Sequence, residues 1–165
     1  MKTLRLLGFI IFCVSTFCSC GSLKEPIIVK HTSLDGYKYA YISTTKEITS
    51  KVSIASANQY GAYGESIEKT IIPSDVISGI LIKEGFIILP ELNPELADQT
   101  VVVNYGESGR RGLNLGYTIE ITIQFVSYKT NELICTCTAE GQGSTEADDI
   151  RIAIERALES LFKTE

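Results

Sequence analysis

The chain predicts an α+β fold of two layers, a mostly antiparallel sheet with two helices packed on one face. Three observations carry that reading. Between Tyr117 and Phe125 the residues alternate, with Tyr117, Ile119, Ile121, Ile123 and Phe125 on one side and Thr118, Glu120, Thr122 and Gln124 on the other, as a half-buried antiparallel strand requires. Residues 144–162 set Ile150, Ala153, Ile154, Ala157, Leu158, Leu161 and Phe162 along one stripe at helical spacing. A shorter stripe of Val76, Ile77, Ile80 and Leu81 stands between strand-like segments, and one sheet face is the economical place to bury two stripes.

The elements follow in order. Residues 20–35 lack core-forming periodicity apart from Pro26-Ile-Ile-Val29 and end at a turn signal, Asp35-Gly36, so they read as a tether preceding a single domain over 36–165. Tyr37-Lys-Tyr-Ala-Tyr-Ile42 alternates as a strand with one aromatic face. From about 43 to 72 Ser, Thr, Ala, Asn and Gly dominate. That composition reads as a flexible excursion, a hairpin or a partner-binding segment. Tyr60 and Tyr63 stand among its glycines as possible contact residues, because tyrosine offers large area at low entropy cost. A fuller sandwich, with 46–72 adding a hairpin to the sheet, is the alternative fold.

Pro73-Ser74 opens a helix with Ser74 as cap and Asp75 at the positive end of the dipole. Ile80 and Leu81 are its core residues, and Gly85 is its stop. Phe86-Ile-Ile-Leu89 is a short strand closed by Pro90, and Thr100–Tyr105 is a β-branched strand. After the strand at 117–125, residues 127–132 turn and 133–139 return. Thr145 and Asp148 have capping-box spacing before the last helix, with Asp in place of the preferred Glu or Gln.

The chain has 165 residues, the length of one ordinary domain, with 44% hydrophobic and 21% charged residues, a globular composition. Its 15 Lys and Arg against 20 Asp and Glu give a net charge of −5, which argues against a nucleic-acid partner. One histidine, His31, rules out a multi-histidine metal site, and no metal or cofactor is expected. No Ser-His-Asp or Cys-His set can be assembled, so no enzyme is expected.

The N-terminus carries the most specific signal. Lys2 and Arg5 precede an apolar run from Leu6 to Val14, then Ser15, Thr16 and Phe17-Cys-Ser-Cys-Gly-Ser22. A charged start, an apolar run and a small residue before a cut site form a secretory signal over residues 1–19. The run is too short to span a bilayer, which takes about 20 residues. Ser19-Cys20-Gly21-Ser22 resembles the lipobox of bacterial lipoproteins, although Phe17 stands where leucine is commonest. The resemblance implies diacylglyceryl attachment to the Cys20 sulfur, cleavage just before it and acylation of the new amino group by a fatty acid such as palmitate.

Loss of residues 1–19 removes Lys2 and Arg5 but no acid, leaving 13 cations against 20 acids, net −7. Anionic head groups would repel that body, so it is expected to hang from its anchor rather than lie flat. Leu34-Asp-Gly-Tyr-Lys-Tyr-Ala-Tyr41, Ile80-Leu-Ile-Lys-Glu-Gly-Phe86 and Ala97–Tyr105, with the long hairpin and closing helix, resemble small Bacteroidetes-type lipoproteins of unknown function. That resemblance implies a compact envelope domain and no reaction. Gly21 and Ser22 differ from the aspartate that marks inner-membrane retention in enteric lipoproteins. No acidic surface-export run follows either, so an outer-membrane anchor facing the periplasm is expected, with a protein partner there.

Two further constellations bear on chemistry. Gly106-Glu-Ser-Gly-Arg-Arg-Gly112 reads as a loop in which Gly106, Arg110 and Arg111 could bind a small anionic or glycan ligand, or as a solvated hairpin neutralised by Glu107. The amides of Glu140-Gly-Gln-Gly-Ser-Thr145 could also receive an anion, with helix capping favoured. Cys135 and Cys137 share one strand face and read as core residues. A redox pair or half a metal site are the alternatives, and a disulfide across two positions of a strand is poorly placed.

Overall fold

The computed structural model describes residues 22–43, 48–58, 61–113 and 116–163. Among the described residues eight strands run in chain order: β1 (Ile27–Lys30), β2 (Tyr39–Ile42), β3 (Ile48–Asn58), β4 (Gly61–Ile71), β5 (Ile87–Ile88), β6 (Thr100–Leu113), β7 (Gly116–Ser127) and β8 (Leu133–Gly141). The helices among the described residues are α1 (Pro73–Lys83) and α2 (Glu146–Lys163), with a 3-10 turn at Pro94–Gln99. The fold is α+β. Six strands form one mixed sheet in the order β1-β8-β7-β6-β2-β5, antiparallel from β1 to β6 and parallel where β2 meets β6 and β5.

The alternation in β7 sets the core. Ile119, Ile121, Ile123 and Phe125 are all buried, while Gln124 on the other side is exposed. Val101, Val103, Cys135, Cys137 and Ala139 continue that inward row on the neighbouring strands. In β2 the small and branched Ala40 and Ile42 point inward and the half-buried tyrosines Tyr39 and Tyr41 point outward. The stripe of α2 is buried as its spacing predicts, with Ala153, Ile154, Ala157, Leu158 and Leu161 fully covered. From α1, Ile77 and Leu81 are fully covered and Ile80 partly. The rings of Phe86 and Phe162 close the far side of the core, 6.3 Å apart and tilted by 54°.

The three helix ends that the sequence marks are informative. Gly85 takes φ +92° and ends α1, with Gly85 N–H donating to Ile82 O and Phe86 N–H to Leu81 O, the paired bonds of a Schellman stop. The expected Ser74 cap does not form. Ile72 is the N-cap without a side-chain bond, and Pro73 opens the first turn, which moves Ser74 inside the helix, where its carbonyl accepts from Ser78 Oγ at 2.7 Å. Proline supplies the fixed φ and lacks the N–H that a cap would satisfy. Thr145 does cap α2: its Oγ1 accepts from Asp148 N–H at 3.1 Å and donates to Asp148 Oδ2 at 3.1 Å.

Three segments differ from expectation. The stretch read as a tether contains β1, paired with β8 from Ile27↔Thr138 to Lys30↔Cys135, and Leu34 is a core residue. A four-residue edge strand is too short to show periodicity. The polar stretch 48–71 pairs as an antiparallel ribbon, Ile48↔Ile71 to Asn58↔Gly61. That ribbon is a two-stranded sheet of its own, so the hairpin of the alternative fold forms without joining the main sheet. The stretch 106–112, read as a loop, is the continuation of β6, paired with β7 to Leu113↔Gly116. Leu133 is turned outward, 36% exposed, because a register shift between Phe125 and Val126 lets Ile134 take the inward position.

Candidate functional site

The two arginines of β6 are adjacent in an extended strand, so their side chains leave on opposite faces of the sheet. They do not converge. A bulge at Ser108, between the pairs Glu107↔Ile121 and Gly109↔Glu120, decides their partners. Residues three apart in a regular strand lie on opposite faces, and one extra residue returns them to the same face. Glu107 and Arg110 therefore meet, with Nη2 2.9 Å from Oε2, and Arg110 Nη2 also lies 2.6 Å from Glu146 Oε1 in the first turn of α2. The guanidinium stands 5.4 Å from the centre of the Tyr117 ring. These bonds hold the Glu107 carboxyl below its ordinary range and raise Arg110.

Arg111 works on the other face. Its Nε donates to Glu140 Oε1 at 3.0 Å and its Nη2 to Oε2 at 2.6 Å, a two-pronged fit of guanidinium to carboxylate. Glu140 is only 2% exposed. The Arg111 bonds pull its carboxyl down from 4.5 to about 2 against the opposing effect of burial, with further help from Lys24.

What covers Glu140 is the leg formed by residues 22–26. Lys24 N–H donates to Glu140 Oε2 at 3.0 Å, Lys24 Nζ lies 3.4 Å from Oε1, and Arg111 Nη2 donates to Ser22 O at 3.3 Å. Arg156 of α2 donates through Nη2 to Lys24 O at 2.8 Å and through Nη1 to Glu140 O. The ladder between β1 and β8 ends at Ile27↔Thr138. Beyond it, Arg156 bridges two carbonyls that would otherwise lack ladder partners. Arg156 is thus part of this latch, whereas Arg151 on the same helix pairs at the surface with Glu155 at 3.3 Å.

The run after β8 is occupied by the chain's own acids. Gly143 N–H donates to Asp149 Oδ1, while Asp148 Oδ2 accepts from Ser144 Oγ at 2.6 Å and from Lys69 Nζ at 2.7 Å. Lys69 and Ser144 hold the Asp148 carboxyl well below its usual range, whereas burial pushes Asp149 up. The anion that these amides could receive is thus Asp149 itself.

Cys135 and Cys137 are buried thiols, and burial, with Cys135 beside it, pushes Cys137 up to about 12, far from the thiolate range of a reactive cysteine. Gly106 pairs with Thr122 and has open space where a Cβ would stand, so no close approach demands glycine there. Tyr60, the Tyr63 side chain and Cys20 lie outside the described residues.

The sequence pattern did not single out two features. One is the Glu140 latch, whose only cue was an acid at an outward position of β8. The other is an open cleft at the opposite end of the sheet, lined by His31, Ser33, Asp35, Ser127, Thr130 and Glu132 among others. Its Ser33 Oγ accepts from Asp35 N–H and its Ser127 Oγ from Thr130 N–H, which is turn geometry. Among the described residues no three His, Cys, Asp or Glu side chains group as a metal site would need. The chain matches no protein-family model and no curated protein.

Proposed function

We propose that this chain is a lipid-anchored cell-envelope protein, attached through Cys20, whose folded domain serves as a protein-interaction or assembly component rather than as an enzyme. The observation that carries the reading is the order of Lys2 and Arg5, the apolar run to Val14 and Ser19-Cys20-Gly21, which resembles a lipoprotein signal apart from Phe17. Two signals or more are needed for durable anchoring, and a diacylglyceryl group plus an N-acyl chain supplies them at about 0.8 kcal/mol per buried methylene. No helix of the described residues is long and apolar enough to cross a membrane. Outer-membrane attachment facing the periplasm belongs to the same reading.

The arrangement of the domain fits a binding role. The reading includes both helices sharing one sheet face, supported by contact of α2 with β7, β8 and α1. The outer strand β1 then offers Ile27, 58% exposed, and Val29, 46% exposed, to a partner. Addition of a partner strand or packing on those side chains are the natural modes. The rival idea, a small anionic or glycan ligand at Arg110 and Arg111, has less in its favour, because an incoming anion must displace Glu107 and Glu146 or Glu140.

Growth with a labelled fatty acid tests the anchor. The natural protein should take up label and the Cys20→Ala variant should not. Label retained by the variant, or a mature N-terminus other than residue 20, overturns the reading.

A further inference from the structure

We infer that the domain sits directly on the bilayer surface, seated on the end of the sheet that carries Arg111, Thr118 and Gln142, instead of hanging from a tether. The inference rests on the lipid-anchor reading and adds its geometry. Covalent spacing provides the first step. Ser22 lies two residues after Cys20, so its Cα is within about 7 Å of the Cα of the lipidated residue.

The latch provides the second. Ser22 O is held by Arg111 Nη2, and Lys24 by Glu140 and Arg156, through both its N–H and its carbonyl. Ser22 and Lys24 are therefore bonded to the fold, and the part of the expected 20–35 tether that precedes the first of these bonds is residues 20 and 21 alone. Lipid chains entering the bilayer at Cys20 must bring this end of the sheet to the head groups. The opposite end, the turn at 128–132, stands about 30 Å away by the rise of β7 from Thr118 to Ser127.

Charge explains why the seat needs no particular lipid. Arg110 and Arg111 are matched by Glu107, Glu146 and Glu140, and Lys69 by Asp148. The partner surface is thus a neutral phospholipid surface reached through the anchor, and the net −7 of the mature chain affects the strength of seating on anionic lipid more than its direction.

The experiment uses the purified natural lipoprotein in phosphatidylcholine vesicles, with a fluorophore on Gln142→Cys or on Lys129→Cys; both sites are exposed, while Cys135 and Cys137 are buried. Head-group nitroxide lipid is the quencher. The Gln142 label is expected to lose most of its intensity and the Lys129 label to keep it. A third protein carries about ten Gly and Ser residues inserted between Gly21 and Ser22, adding about 17 Å of root-mean-square reach, and should lose the difference between the two sites. Vesicle flotation with equal quenching at both sites overturns the seating and leaves the anchor standing. Quenching confined to Gln142 despite the insertion overturns the role of the leg. Failure of the protein to float overturns the anchor itself.

Discussion

Replacing Glu140 by Gln keeps the shape of the buried group and removes its charge. In the native domain this carboxylate is 2% exposed and receives two N–H bonds from Arg111 and one from Lys24. Its pKa falls from 4.5 to about 2, which at 1.36 kcal/mol per unit sets a ceiling of about 3 kcal/mol. The Arg111 side chain keeps 36% exposure, so water screens the pair and about 2 kcal/mol is the working figure. A folded pKa below the unfolded one contributes fully above about pH 4.5 and is lost as the pH falls toward 2. Asp148 shifts in the same direction and Asp149 in the opposite one, but both are present in the native and variant proteins and cancel in the comparison. Urea unfolding of a soluble form starting at Gly21, at about pH 7 and about pH 2.5, reads the difference. The native protein should lose about 2 kcal/mol more than Glu140→Gln across that interval. Equal losses would refute the latch as an energetic feature.

Three further outcomes follow from packing and caps. Gly141→Ala drives a Cβ into Asp149 O and to 2.6 Å from Ala153 N, so α2 must move off the sheet. A loss of about 3 kcal/mol or more is expected by denaturant melt, against little change for Gly112→Ala, where the space is open. Thr145→Ala removes the bonds to Asp148 N–H and Oδ2 and should cost about 1 kcal/mol in the same assay. In the soluble form, a thiol reagent should find no reactive cysteine in the native protein and both Cys135 and Cys137 in denaturant; fast native reaction would contradict their burial.

What was legible from the sequence is what one side of an element reveals. The inward rows of β7 and α2 were readable because many consecutive positions obey one period, and Gly85 because its φ excludes most other residues. The Ser74 cap failed since Pro73 competes for the same turn, and proline at the first helical position prevailed. The loop reading of 106–112 failed for a different reason. Three glycines within seven residues look like a turn, yet pairing with β7 carries the strand through to Leu113, and the single irregularity is the bulge at Ser108. The arginine pair was visible as composition, but its meaning depended on strand alternation plus that bulge, which sends Arg110 to Glu146 and Arg111 to Glu140. The latch needed Lys24 and Glu140 brought together across 116 positions. No local pattern encodes such a contact. The ribbon at 48–71 likewise pairs residues whose small and polar character favours neither face.

The edge strand sets what a protein partner can use. β1 has four residues, about 13 Å of ladder, and each added backbone bond contributes about 1 kcal/mol net. A handful of such bonds does not offset the several kcal/mol that association costs. Side chains must supply the remainder, and Ile27 and Val29 are the exposed apolar pair on that strand, each worth up to roughly 2 kcal/mol when covered. β1 also begins next to the leg, so in the seated orientation it rises away from the bilayer and presents both side chains above the head groups. The double variant Ile27→Asp and Val29→Asp should therefore lose a partner captured by crosslinking in intact envelopes while still floating with vesicles. Their partners across the ladder, Thr138 and Thr136, stay in place, and unchanged urea unfolding would show that the domain is intact. Undiminished capture by that variant would move the interaction surface away from β1.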